Sequence, residues 1–360
     1  MARARMPPYH DAMGSAAGSA GAWGMRLVAV VASAFLLSSC AEVPIDVLMS
    51  PEPTRPVGAN GPPAVVAFSP LRGTPADAAG LRHPSLAVKI DNHADARPQI
   101  ALNRSDIVFE ELVEGGLTRY VVIWHSDVPE AVGPVRSIRP MDPAIVSPFG
   151  GIIAYSGGQE YFVDLMRATS LVNLVFDEDD TGLFERADDR PGPHDVILDA
   201  TEAVDRNAEL PPPTVQFAYG SNDPLASPTL AADSTSRLDL AFSEGGSRSW
   251  DFDATTSRWL RSQEGVPDLE ASGERVHAMN VVTLRVVIAW PFEEVPLTVL
   301  TGSGEAWVSV AGRTAHGTWS KEGDASPLVL TSDDGSVLRL APGNTWVELV
   351  PLEGSVSFAP

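Results

Sequence analysis

The sequence predicts an α/β or α+β domain with a mixed sheet at residues 69–213, followed by a smaller, mostly-β domain at 214–360. Three observations carry this expectation. Residues 86–139 hold three apolar runs of strand length, 86–90, 107–112 and 117–124, each ended by a polar cluster. Residues 159–168 show helical spacing instead, with Phe162, Leu165 and Met166 on one face. After Pro211-Pro212-Pro213 the pattern changes to short β-rich runs separated by Gly, Asp, Ser and Pro.

Before the first domain, Arg26 precedes an apolar run at 27–37, and Ser38-Ser39 lead to Cys40, the single cysteine of the 360 residues. A basic start, an apolar core of this length and small residues at the exit make a secretory signal, here 1–39. The run is shorter than the roughly 20 apolar residues a spanning helix needs. Leu37-Ser38-Ser39-Cys40 is similar to a bacterial lipobox, in which the cysteine thiol carries a lipid. Acyl chains contribute about 0.8 kcal/mol per buried methylene, so two or more give a stable anchor. Met25 opens a compact signal by itself, so translation starts at Met1 or Met25. Residues 40–68, rich in Pro, Gly and Ala, are expected to be a lipid-anchored flexible tether.

Within the first domain, 86–90 is apolar enough for a buried strand despite Lys89, and Asp91-Asn92-His93 stands at its end. Strand ends are where ligands gather in α/β sheets. Gly115-Gly116 is a tight connection into 117–124, and Gly133-Pro134 breaks the chain before Val135-Arg136-Ser137-Ile138-Arg139. Residues 150–155 and 171–176 are further strands, and Asp199 or Thr201 caps a helix reaching Asn207. In the second domain, strands are expected at 238–242, 258–261, 281–289, 307–310, 328–331, 337–340 and 346–350, with Asp334-Gly335 turning a hairpin. Trp307, Trp319 and Trp346 are core residues or a sugar-stacking surface, core being the commoner fate of strand aromatics. His277 is the one polar spot before a strand there.

Bulk numbers exclude several function classes. The formal net charge is -22, and without residues 1–39 the 22 basic and 46 acidic residues give -24. That field repels nucleic acid. One cysteine rules out an internal disulfide and cysteine-based metal clusters. No catalytic or metal-binding motif with diagnostic spacing occurs, so no cofactor and no metal are expected. The stretch 177–188 partly fits a calcium loop, with Asp177, Asp179, Thr181, Gly182 and Asp188 at ligand or turn positions. Its Thr and terminal Asp depart from the pattern, and a solvated acidic loop is the plainer reading.

In so acidic a chain the arginines after the strand ends are conspicuous. Arg97, Arg119, Arg136 and Arg139 are candidates to converge on an anion, since guanidinium grips phosphate or carboxylate bidentately and stays charged when desolvated. Gly157-Gly158 before a helix offers backbone N–H groups to the same anion. Asp91, Asn92, His93 and His194 supply hydrogen bonds or proton transfer. The competing reading is that Asp106, Glu110, Glu111 and Glu114 pair with these arginines and only hold the fold.

Several ordered motifs carry a resemblance: Ala87-Val-Lys-Ile-Asp-Asn92, Arg97-Pro98-Gln99, Ser105-Asp106-Ile-Val-Phe-Glu110, Val113-Glu-Gly-Gly-Leu-Thr-Arg119, Gly133-Pro-Val-Arg-Ser-Ile-Arg-Pro140 and Pro193-His194. Together they resemble the YerB-like lipoprotein family, with Asp195 standing where that family usually has Asn. The resemblance runs from about Ser69 to the C-terminus and implies an envelope lipoprotein on the extracytoplasmic face of the cell membrane. It brings no reaction with it. The expected function is therefore binding of an anionic wall component, or of a protein that builds or cuts the wall, at the arginine site. The alternatives are an enzyme acting on phosphate-linked glycan or lipid carrier, and a scaffold without a small-molecule site.

Overall fold

A computed structural model describes residues 66–220 and 233–360. The expected signal, the lipid-bearing Cys40 and the tether up to residue 65 lie outside the described residues. The apolar runs of the first half form β1 (Leu86–Asp91), β2 (Ile107–Leu112) and β3 (Thr118–Trp124). Every residue of β1 and β2 is buried, so side chains leave both faces into apolar surroundings and the runs are continuous rather than alternating. Then follow α1 (Asp142–Val146), β4 (Ile152–Tyr155), α2 (Glu160–Arg167), β5 (Val172–Val175), β6 (Val196–Asp199) and α3 (Ala200–Asp205). The Asp199 carboxylate caps α3 by accepting from Glu202 N at 2.9 Å. Helix α2 buries Phe162, Val163 and Met166 and leaves Leu165 half-buried, so its apolar face is turned slightly from the expected one.

The second half contributes β7 (Arg237–Ala241), β8 (Ser247–Asp253), β9 (Arg258–Gln263), β10 (Asn280–Phe292), β11 (Gly302–Val310), β12 (Arg313–Lys321), β13 (Thr345–Pro351) and β14 (Ser355–Ala359). One mixed sheet runs β12-β11-β10-β13-β2-β3-β1-β4-β5. Its seam is β13, parallel to β10 on one side and to β2 on the other. A second, antiparallel sheet runs β9-β8-β7-β14.

The protein is therefore mostly β, and the expectation of an α/β domain holds only in part. The described helices are short because they are not the main cover of the sheet. One face, which carries Leu284 and Val308 of β10 and β11, packs on Met141, Ile145 and Phe162 of the α1 and α2 region. The other is covered by the second sheet, with Leu238, Trp250 and Trp259 against Val88, Val122 and Trp346. Residues 337–340 do not form a strand. Val337 and Leu340 make isolated bridges to Thr331 and Tyr219, below a turn in which Asp334 accepts from Ser336 N at 2.9 Å. Trp319 and Trp346 are buried and Trp307 packs on Phe358, so the aromatics serve the core. His277 donates its backbone N–H to Asn103 and approaches Arg258 through its ring, which ties loops together.

Two buried ionic clusters occupy opposite faces of β2, as strand alternation requires of Glu110 and Glu111. Glu110 accepts from Arg248 Nε at 2.7 Å, from Thr118 Oγ1 at 2.7 Å and from Arg261. Arg261 is fully buried, with its guanidinium carbon 4.9 Å from the Trp346 ring centre and 5.5 Å from that of Tyr120. Nearby, Glu348 accepts from Trp250 Nε1 at 2.7 Å. On the other face Lys89 donates to Glu111 and, at 2.7 Å, to Asp142.

Breaking a buried pair leaves an uncompensated charge, at a cost of about 3–5 kcal/mol. Glu110→Ala is expected to lose that much stability in urea unfolding, and a loss under about 1 kcal/mol would remove the network as a stabilising element. The pH dependence has a worked sign. Burial raises the Glu110 pKa, but Arg261 and Arg248 outweigh it and hold the carboxyl down to about 2. Its contribution is present above the unfolded value and disappears as pH falls from about 4.5 to about 2. Burial pushes Glu111 and Glu348 up to about 8, so the folded state binds extra protons and stability should decline as pH rises from about 4.5 to about 8. Urea midpoints measured between pH 3 and 9 check both limbs.

Candidate functional site

The C-terminal end of β1 organises the polar site. Lys89 and Asp91 point to one face of the sheet, whereas Asn92, one residue on, points to the other. Asn92 is buried, donates to Thr118 Oγ1 at 2.7 Å and Gln263 Oε1 at 3.1 Å, and accepts from Gln99 at 3.2 Å. It belongs to the junction with β9 and not to the arginine cluster.

Asp91 is 3 % exposed and serves three groups. His194 Nδ1 lies 2.7 Å from Oδ2, so that nitrogen carries the proton and donates it to the carboxylate. Arg136 Nε is 3.0 Å from the same oxygen as an ion pair, and His93 N donates to Oδ1 at 3.1 Å. The His93 and His194 rings stack at 4.6 Å with planes 8° apart. Next to Asp91 in register, Arg119 on β3 donates to Ser137 O at 2.8 Å. Arg139 donates to the Glu114 carboxylate and to Ile138 O, both at 2.8 Å.

Arg119, Arg136 and Arg139 thus gather at one end of the sheet. Arg119 has no carboxylate within ion-pair distance among the described residues. Burial, then Arg139 and Arg136, push its guanidinium down to about 10, with Asp91 and Glu114 opposing. Asp91 and Glu114 face these three guanidinium groups, and Lys89, Glu111 and Asp142 lie beneath them. The competing structural reading applies mainly to Arg139. Of the four acidic residues expected to neutralise the arginines, only Glu114 does so, while Asp106 pairs with Arg72, Glu110 with Arg248 and Arg261, and Glu111 with Lys89.

Arg97 is not part of this group. It lies 3.8 Å from Glu264 and lines a groove of about 340 Å³ with Asn92, His93, Thr118, Arg248 and Glu264. His93 stands between that groove and the arginine cluster. Gly157 and Gly158 do approach the cluster. Ser156 N donates to Arg136 O at 3.0 Å and Ile138 N to Gly157 O at 3.1 Å. A Cβ on Gly157, whose φ is +151°, would stand 2.1 Å from an Asp177 carboxylate oxygen. In the acidic loop, Asp179 accepts from Thr181 N at 3.0 Å, Thr181 Oγ1 at 2.5 Å and Phe184 N at 3.3 Å, so its oxygens bind the loop itself. Lys89, alone in an apolar strand, signalled the need for buried acids, but nothing in the sequence singled out Arg248, Arg261 or Asp95.

The chain is a mostly-β protein of two modules joined by a shared mixed sheet, with a polar cluster at the end of its N-terminal strands. The N-terminal domain described as "Protein of unknown function (DUF3048)" matches residues 71–210, and the C-terminal domain of the same description matches 238–347. The chain belongs to this family. It is 27 % identical over 295 residues to "Putative lipoprotein YerB" of Bacillus subtilis (strain 168), spanning 79 % of this chain and 86 % of that protein. The crystal structure of YerB protein from Bacillus subtilis has the same fold, with a TM-score of 0.71 and 24 % identity over 81 % of this chain and 99 % of the other.

Gly157→Ala tests how tightly the loop beside the cluster is built. The strained φ and the contact with Asp177 predict a loss of about 1–3 kcal/mol in urea unfolding, and wild-type stability would show that the loop yields freely.

Proposed function

We propose that this protein is a lipid-anchored envelope protein that binds an anionic component of the cell wall at Arg119, Arg136 and Arg139. The observation that carries the binding reading is Arg119, a largely buried guanidinium with no carboxylate partner and two further guanidinium groups beside it. An unpaired buried charge is costly, and a bound phosphate or carboxylate supplies the missing counter-charge through bidentate hydrogen bonds. Neither Gly157 N–H nor Gly158 N–H donates a hydrogen bond among the described residues, and Gly158 is exposed. The anchoring reading rests on Cys40 and on the name of the Bacillus subtilis relative. No helix among the described residues is long and apolar enough to cross a membrane. On this reading residues 40–68 are the tether, the folded part stands on the extracytoplasmic side, and residues 69–213 and 214–360 are its two domains.

A second reading has one observation in its favour. Asp91 holds the Nδ1–H of His194, which leaves Nε2 with a lone pair, the arrangement of a general base. Beside the arginines this suits transfer or hydrolysis at a phosphate-linked glycan or lipid carrier.

The binding reading is tested by calorimetry with a glycerol-phosphate polymer and an uncharged glycan. Arg119→Gln, Arg136→Gln and Arg139→Gln are each expected to weaken polymer binding about tenfold or more, the loss of one charge-assisted contact, with unchanged circular dichroism. Equal binding of the uncharged glycan, or no effect of the substitutions, overturns it. Under the enzymatic reading, His194→Ala abolishes turnover of a pyrophosphate-linked carrier while polymer binding persists.

A further inference from the structure

We infer that His93, Asp95 and His194 form a binding site for one divalent transition-metal ion at the rim of the arginine cluster. One donor atom from each of the three lies within 4.8 Å of the others. The residues come from the turn after β1 and from a loop a hundred positions later, so the grouping is a product of the fold.

Three features give the group the character of a metal site. First, Asp91 accepts the Nδ1–H of His194 at 2.7 Å, which fixes the tautomer and leaves Nε2 as the donor. A carboxylate behind a ligating histidine is the usual outer support of such sites. Second, His93 Nδ1 accepts from Asp95 N at 3.2 Å, so it is the unprotonated nitrogen of the ring, whose lone pair an ion would take in exchange for that hydrogen bond, and Asp95 Oδ2 is 3.5 Å away. Metal–nitrogen and metal–oxygen bonds of about 2.0–2.2 Å at a tetrahedral angle put two ligands about 3.4 Å apart. The pair on the turn is already spaced as one edge of that tetrahedron. Third, the His93 side chain is 38 % exposed and its ring lies 4.6 Å from that of His194, so the two imidazoles are neighbours at the protein surface.

The donor set decides the class of ion. Two imidazoles and one carboxylate suit zinc and its neighbours, whereas calcium and magnesium take oxygen ligands. Asp95 supplies one negative charge to the ion, while that of Asp91 is shared with Arg136. Three protein ligands leave a coordination position open, and Arg136 is paired to Asp91, the carboxylate behind His194. An anion held by the arginines is placed to complete the coordination, but the metal site does not depend on the anion reading.

The test is calorimetry of Zn²⁺ into the chelator-treated full chain. One ion per chain is expected. His93→Ala and His194→Ala should each weaken binding at least 100-fold, and Asp91→Asn 10–100-fold. Asp95→Asn lies on an exposed side chain and should keep the fold, as circular dichroism checks, while weakening binding about tenfold. Asp179→Asn, in the separate acidic loop, should change nothing, and Arg119→Gln should lose the anion but keep the metal. The inference is overturned if the wild type binds no Zn²⁺ below about 10 μM, if Asp95→Asn and His93→Ala both bind as the wild type does, or if Asp179→Asn removes the binding. Any of these leaves His93 and Asp95 as a surface ion pair.

Discussion

The structure depends on a carboxylate from the first half of the chain held between two guanidinium groups from the second. Glu110 is buried on β2, and Arg248 and Arg261 reach it from β8 and β9. A charge there without partners would cost about 3–5 kcal/mol, as would either arginine left without the carboxylate. Together, with Thr118 and the rings of Trp346 and Tyr120 around Arg261, they fix how the second sheet lies across the first. The insertion of β13 between β10 and β2 then follows, because Trp346 and Glu348 on β13 complete the same chamber.

That constraint also decides the shape of the site. Once β1, β2 and β3 are in register, parity sends Asp91, Arg119 and Glu111 to one face and Asn92, Glu110 and Thr118 to the other. The first group, with Lys89 and Asp142 beneath it, opens at the end of the sheet where the 133–139 segment crosses. Arg136 N donates to Lys89 O at 2.8 Å, which aims Arg136 and Arg139 at the same region as Arg119. The second group is sealed as the joint between the two sheets. A single dipeptide, Asp91-Asn92, thereby serves a candidate site and a structural joint at once.

Much of the strand content was legible because fully buried strands are mainly apolar on both faces, and β1, β2 and β3 are so apart from Lys89, Asp91, Glu110, Glu111 and Arg119. Strands β8, β12 and β14 were not, since Ser247–Asp253, Arg313–Lys321 and Ser355–Ala359 mix polar and apolar residues and take their order from neighbouring strands. Residues 337–340 have the right composition and no partner along their length, so they stay a loop with single bridges. In the site, Arg119, Arg136 and Arg139 come together as expected, while Arg97 turns to the groove beside Glu264. Nothing local distinguishes Arg97, because its direction is set by residues of β9 and the turn after it.

The sequence alone determined which segments are apolar enough to become the central strands, which polar residues stand at their ends, and that the folded part follows a lipobox-like cysteine. These are properties of consecutive residues, and burial acts on them directly. Tertiary structure decided which acid meets which base. The partners of Glu110 and Glu111 include side chains 22 to 151 positions away, and they depend on register, on strand parity and on the order of strands in the sheet. The meeting of Asp91 with His194, the lack of an ion-pair partner for Arg119 among the described residues, and the capture of Glu110 by Arg248 and Arg261 all belong to that second kind.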